Sequence, residues 1–250
     1  MLRKTIIFSI LLLISACDTY TPRSLLDEAT KAHNQKKFSK KKGIEVHFVL
    51  HAEHGDSVHG TMTWLSRDDL GLVHLDNGVN LTYDAEGVSS MGKSVLDTLP
   101  SHFHPELWPE ILTFPFRLNS PNWKRSEYLN PTLNGERYRV KKVKVPDPLK
   151  PSAYKDRIVY ADSEENLIQA IVLADRKGDL AANSAAAYAV VFSDYRELKG
   201  MVIAHRWEFK KWFPDGRLTE NYGHLILRDV LFLEETENYR DRWTDRYTSK

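Results

Sequence analysis

Between residues 44 and 233 the chain keeps returning to one pattern, apolar and polar side chains in alternation. In the first run Ile44, Val46, Phe48 and Leu50 are set off by Glu45, His47 and His51, and the next run repeats the period with Met62 and Trp64. Successive side chains of a strand point to opposite faces, so a period of two specifies half-buried strands. Further runs fall at 70–75, 79–83, 137–145, 157–161, 167–174, 186–195, 201–211 and 222–233, separated by "DNG", "DAEG", "DSEEN", "LKG" and "PDG". Gly, Asn and Asp supply the backbone conformations that such turns need. The expected fold is mainly β: one strongly curved antiparallel sheet of about ten strands, a half or incomplete β-barrel, with short helices covering its concave face.

Three local expectations follow. If "HGD" (54–56) is a three-residue loop, Val46 faces Trp64, Phe48 faces Met62 and His51 lies across from His59. In "FPDGRL" Gly216 takes the left-handed position of a three-residue hairpin loop, which sets Ile203 against Leu227 and Trp207 against Gly223. In "YRVKKVKV" the apolar parity slips between Val140 and Val143, which predicts a bulge where the sheet bends.

One stretch breaks the alternation. "FHPELWPEILTFPFRLNSPNW", residues 103–123, has four prolines and no period of two, so it leaves the sheet as short helix and loop. It nevertheless carries Trp108, Ile111, Leu112, Phe114 and Phe116. An apolar excursion of this kind must cover something, most simply the open mouth of the curved sheet.

Ahead of the strands, "SLLDEATKAHN" from Ser24 has an N-cap serine, Asp27 three residues later and helical spacing of its apolar positions, so a short helix is expected. "KKFSKKK", residues 36–42, reads as a solvated linker, with contact to anionic headgroups as the alternative. At the start of the chain, "FSILLLISACDTY" follows Arg3 and Lys4 and ends its apolar stretch at Cys17, the one cysteine of the 250 residues. This reads as a secretion signal, because the stretch is shorter than the ~20 residues that span a bilayer. Ile14-Ser15-Ala16-Cys17 resembles the lipobox of bacterial lipoproteins. That resemblance implies cleavage before Cys17, a diacylglycerol group on its thiol, and room for a further acyl group such as palmitate on the new amino terminus. An uncleaved signal anchor or plain secretory signal is the alternative. The chain then divides into a signal peptide (1–16), a lipid-anchored linker with a short helix (17–43), a half-barrel domain (44–234) and a tail (235–250). In the tail Tyr239, Trp243 and Tyr247 recur every fourth residue, a helical stripe expected to pack on its own domain, with a membrane-interface role as the alternative.

The charge balance, 35 Lys and Arg against 34 Asp and Glu, gives no field to attract nucleic acid. A single cysteine excludes an internal disulfide. No Gly-x-Ser-x-Gly, HExxH or phosphate-binding loop is present, so no enzyme and no cofactor are indicated. Glu164-Glu165 and Glu234-Glu235 lie in turns or at a strand end, as solvated charge does. His51 and His59, with His54, Glu53 and Asp56 near, could hold a divalent ion, but they fall on the outward face without the spacing of a known site. His102, His104 and Glu106 have nothing to fix their geometry, and His205, between Ile203 and Trp207, reads as a hydrogen-bonded core residue.

"WPEILTFPFRLN" (108–119), the "ADRKGD" turn after "LIQAIVL" (167–180) and "DYRELKGMVIAHRWEF" (194–209) together resemble the superfamily of periplasmic lipoprotein carriers and outer-membrane lipoprotein-sorting proteins. The resemblance spans about residues 24–234 and is to its uncharacterised lipoprotein branch. It implies an apolar concave cavity for acyl chains or lipoproteins, lined by Phe48, Leu50, Met62, Trp64, Tyr188, Phe192, Ile203 and Trp207, with Trp108, Phe114 and Phe116 as lid. It places the protein in the cell envelope, anchored to a membrane through Cys17 and facing the periplasm. Asp18 resembles the inner-membrane retention signal of some enteric bacteria. A stationary acceptor fits a lipidated chain better than a shuttle, and a structural protein with a self-filled core is the alternative.

Overall fold

A computed structural model of the chain describes residues 24–55, 57–84, 87–92, 99, 103–145, 154–175, 188–235 and 238–248. The lipobox, Cys17, Asp18 and His102 lie outside the described residues, as does most of the "ADRKGD" turn. Helix α1 (Leu25–Ala32) begins where expected, with the Ser24 side chain accepting from the Asp27 N–H. It is followed by α2 (Gln35–Phe38) and then by five strands, β1 (Gly43–Ala52), β2 (Ser57–Leu65), β3 (Leu70–Leu75), β4 (Val79–Asp84) and β5 (Gly87–Gly92). The proline-broken segment forms a 3-10 turn (Pro105–Leu107) and α3 (Trp108–Arg117). Then come β6 (Lys124–Ser126), β7 (Thr132–Leu133), β8 (Glu136–Arg137), β9 (Arg139–Lys144), β10 (Tyr154–Ala161), β11 (Ile168–Asp175), β12 (Tyr188–Leu198), β13 (Met201–Trp212), β14 (Leu218–Leu233) and α4 (Tyr239–Thr248).

Twelve strands form one antiparallel sheet in the order β5-β4-β3-β2-β1-β14-β13-β12-β11-β10-β9-β6, while β7 and β8 pair as a separate hairpin. The first and last long strands, β1 and β14, pair at the centre, and two meanders run outward from them. The sheet is curved and does not close into a barrel, so its concave face has to be covered by helices. The sheet exceeds the expected ten strands because β5 and β6 join its edges; both are short, exposed and without an apolar period.

Three sequence expectations are corrected. In the β1–β2 hairpin Val46 pairs with Met62, Ile44 with Trp64 and Phe48 with Gly60; the loop is longer than three residues, and the shift by two keeps every side chain on its predicted face. His51 therefore stands opposite Ser57, while His59 faces Val49. In the β13–β14 hairpin Trp212 pairs with Leu218 beside the turn, as a three-residue loop requires, but two irregularities shift the register so that Trp207 meets Leu225 and Phe209 meets Gly223. The loop itself is as read: Gly216 has φ +86° and its N–H donates to the Phe213 carbonyl at 2.8 Å. In β9 there is no bulge, since pairing with β10 is continuous from Arg139 to Lys144. Val143 enters the main core and Val140 packs against a second cluster on the other face, so the parity slip records a strand buried on both sides.

Residues 36–42 are not a free linker either. Phe38 is buried and stacks on Phe116 of α3, with ring centroids 4.2 Å apart and planes 11° from parallel. On the convex face α4 lays Trp243 onto Leu65, Leu70 and Leu72, so the tail stripe packs on its own domain.

Candidate functional site

The eleven apolar side chains picked from the sequence come together in one buried cluster on the concave face. Phe48 and Leu50 of β1, Met62 and Trp64 of β2, Tyr188 and Phe192 of β12, and Ile203 and Trp207 of β13 form its floor, and Trp108, Phe114 and Phe116 descend from α3. Trp108 meets Phe48 edge-on at 5.2 Å between centroids, and Phe192 meets Trp207 edge-on at 5.7 Å. The two indoles are satisfied locally, Trp108 Nε1 donating to the Phe103 carbonyl at 2.9 Å and Trp207 Nε1 to the Ala204 carbonyl at 3.0 Å. Each aromatic pair contributes ~0.5–1.5 kcal/mol beyond area burial.

The cover is polar at one point. Glu110 of α3 is buried, and its Oε1 accepts from Arg157 Nη2 of β10 at 2.9 Å and from Nε at 3.2 Å. Its Oε2 accepts from the Tyr83 hydroxyl of β4 at 3.1 Å. Burial and the adjacent Glu110 carboxylate push the Tyr83 hydroxyl well above its ordinary value, so it stays a donor. Because β4 and β10 lie near opposite edges of the sheet, one carboxylate ties the cover to both wings. At the far end of α3 the Arg117 guanidinium lies 4.4 Å from the Trp64 ring centroid and pairs with Asp69 at 2.8 Å. Where α3 crosses β3 the floor is bare: a Cβ on Gly71 would stand 3.0 Å from the Cβ of Pro109.

A seam remains beside α3, bordered by His33, Leu112, Phe116, Phe192, Ile203 and Trp207, and the free space in it is about 10 Å3, room for one water. His33 pins its rim. It follows α1, contacts the rings of Phe116 and Tyr195, and places Nδ1 2.8 Å from the Val202 carbonyl while Nε2 accepts from the Ile168 N–H at 3.3 Å. Burial pushes it down to about 4, so it is neutral with the proton on Nδ1. Tyr195 donates to the Ile168 carbonyl, closing that side.

Sequence reasoning missed Glu110, Arg157, His33, Gly71 and Arg117. A signal was present for half of the ion pair: Glu110 is the lone charge inside the apolar run 107–116, and such a charge is buried only when paired, whereas Arg157 follows Lys155 and Asp156 and does not stand out. The histidine candidates are dispersed. His51 stacks on His224 with centroids 4.8 Å apart, His104 has φ +46° and sits 3.0 Å from Glu106, and no three ligating side chains converge among the described residues. His205 is buried, with Nδ1 3.3 Å from the Leu227 carbonyl. The backbone N–H groups of Glu164 and Glu165 cap the Asp162 carboxylate, so their turn serves local structure. Among the described residues no helix is long and apolar enough to cross a membrane.

No family model matches this sequence, and no curated protein does. Solved structures do match in backbone course. A LolA superfamily protein from Nitrosomonas europaea aligns at TM-score 0.52 and 11% identity, over 84% of this chain and 92% of its own. A putative outer membrane lipoprotein-sorting protein domain from Vibrio parahaemolyticus aligns at 0.51 and 14%, over 87% and 98%. A DUF1329 family protein from Desulfovibrio piger aligns at 0.54 and 10%, over 87% and 97%. The fold is LolA-like. At these identities the alignments speak for fold alone.

Proposed function

We propose that this chain is a non-enzymatic, lipid-anchored cell-envelope protein, facing the periplasm, whose concave face takes acyl chains of lipids or lipoproteins beneath α3. The observation that carries the reading is the form of the cover: a separate ten-residue helix with Pro109 in its first turn and Pro115 inside it, laid on an aromatic floor and tied across it through Glu110. An acyl chain gains ~0.8 kcal/mol per methylene buried, so a long chain outweighs the ~3–5 kcal/mol cost of breaking one buried ion pair. Cys17 supplies the anchor in this reading, and Cys17→Ser should release the protein from the membrane fraction. The acyl chains would enter along the seam that Phe116 and Trp207 border.

A second reading has its own observation: the seam holds space for a single water, as expected of an envelope structural protein whose aromatics fill its core. A reversible lock separates the two. The chain from residue 18 on has no cysteine, and the 3.0 Å approach of residues 71 and 109 needs α3 to lift by only about 0.5 Å to reach the Cβ separation of a disulfide. In Gly71→Cys/Pro109→Cys, tryptophan fluorescence should respond to a long-chain lipid when the bond is reduced and fall silent when it is oxidised. Binding that survives the lock removes the seam as the site. No response in either state, or in the parent chain, leaves the self-filled core.

A further inference from the structure

We infer that α2 and the β12–β13 turn form a docking surface for the anionic headgroups of a phospholipid bilayer. Residues 31–42 contain six lysines and no acid. Burial of Phe38 against Phe116 fixes α2 on the domain, which holds Lys36, Lys37 and Lys40 outward with Lys31 and Lys42 on either side. The Lys37 side chain lies against Gly200, next to exposed Lys199. Among the described residues none of the ammonium groups of Lys31, Lys36, Lys37, Lys40, Lys42 and Lys199 is in an ion pair, while Glu234, the acid that Lys199 faces, is held by Lys41. The fold thus gathers like charges from two segments far apart in sequence and leaves them uncompensated. That arrangement costs stability unless an anion meets it.

The patch borders the seam, because Asn34 donates to the Gly200 carbonyl and His33, beside it, lines the opening. A bilayer is the occupant that fits. The exposed large apolar side chains Val88, Met91, Leu129 and Leu231 all lie outside α2 and its flanks, whereas a protein partner would need an apolar centre. Lysines are flexible point charges suited to a field of phosphates. On the anchor reading of Cys17, the seven peptide steps to Ser24 span at most ~25 Å, which keeps the patch within reach of the surface and turns the seam toward it.

All described elements begin at or after Ser24, so the chain 18–250 keeps the fold without the anchor. Its sedimentation with vesicles of phosphatidylcholine, alone or mixed with phosphatidylglycerol, tests the surface directly. Binding is expected only to the mixed vesicles, with loss at high salt. Lys36→Ala/Lys37→Ala/Lys40→Ala should weaken it about 100-fold, about fivefold per lysine, while Lys124→Ala/Lys144→Ala on the far edge leaves it unchanged. Equal binding to both vesicles, no effect of the triple change, or an equal loss from the far-edge pair overturns the inference. Retention on polyglutamate without vesicle binding would also overturn it, in favour of an acidic protein. The oxidised Gly71→Cys/Pro109→Cys chain should still bind; if it does not, contact runs through the seam and the lysine surface is excluded. Failure of the acyl-chain reading would leave the vesicle result standing.

Discussion

The two faces of the sheet are built on the same strands and buried in different ways. On the concave side one unbroken cluster runs from Val79 and Leu81 of β4 to Val143 of β9, roofed by α1, α2 and α3. On the convex side there are two small clusters: Trp212 and Tyr160 with Leu133 of the β7–β8 hairpin, and Leu65, Leu70 and Leu72 beneath Trp243 of α4. Between them lies a polar strip in which His51 stacks on His224 and Arg206 pairs with Glu208 at 3.1 Å. A continuous apolar face that cannot close on itself needs a roof, and a roof of separate helices can move; local convex patches need only a strap.

The largest test of this contrast is the ion pair. Glu110→Leu or Arg157→Leu alone should cost ~3–5 kcal/mol in urea unfolding, because each takes from a buried charge the partner it has in this pair, whereas the double change should recover most of the loss. Additive losses would mean that α3 does not depend on the pair.

Next is acid sensitivity. His33 is held at about 4 against an ordinary 6.5, so the unfolded chain binds more protons between those values. Its contribution is complete above pH 6.5 and disappears as pH falls through 4, a loss of ~3 kcal/mol. His33→Gln should flatten that part of the stability profile. A profile flattened instead by His224→Gln would place the sensitivity on the convex strip.

The convex straps should give smaller effects. Gly216→Val forces a β-branched residue to positive φ and drives its Cβ onto the Thr132 carbonyl of the β7–β8 hairpin, for ~1–3 kcal/mol. Trp243→Ala should cost the least, ~1 kcal/mol, read as loss of hydrogen-exchange protection confined to α4. If Trp243→Ala cost as much as the ion pair, the convex face would carry as much of the fold as the concave one.

Much of this was legible in the sequence because sheet patterning is local. A period of two marks which side chains share a face, so Phe48, Met62, Trp64, Ile203 and Trp207 were assignable to one side even though both hairpin registers were off by two. The four prolines of 103–123, with Trp108, Ile111, Leu112, Phe114 and Phe116 among them, announced a helix outside the sheet with something to cover, and Ser24 announced the start of α1. Other features depended on segments distant in the chain. Only the fold opposes Arg157 to Glu110 and Tyr83, sets bare Gly71 under Pro109, stacks Phe38 of a lysine run on Phe116 and brings Lys199 beside Lys37. Alternation decides the face of a side chain within its own strand. Long-range pairing decides what stands across from it, because that contact forms only when the sheet has curved and the helices have settled into it.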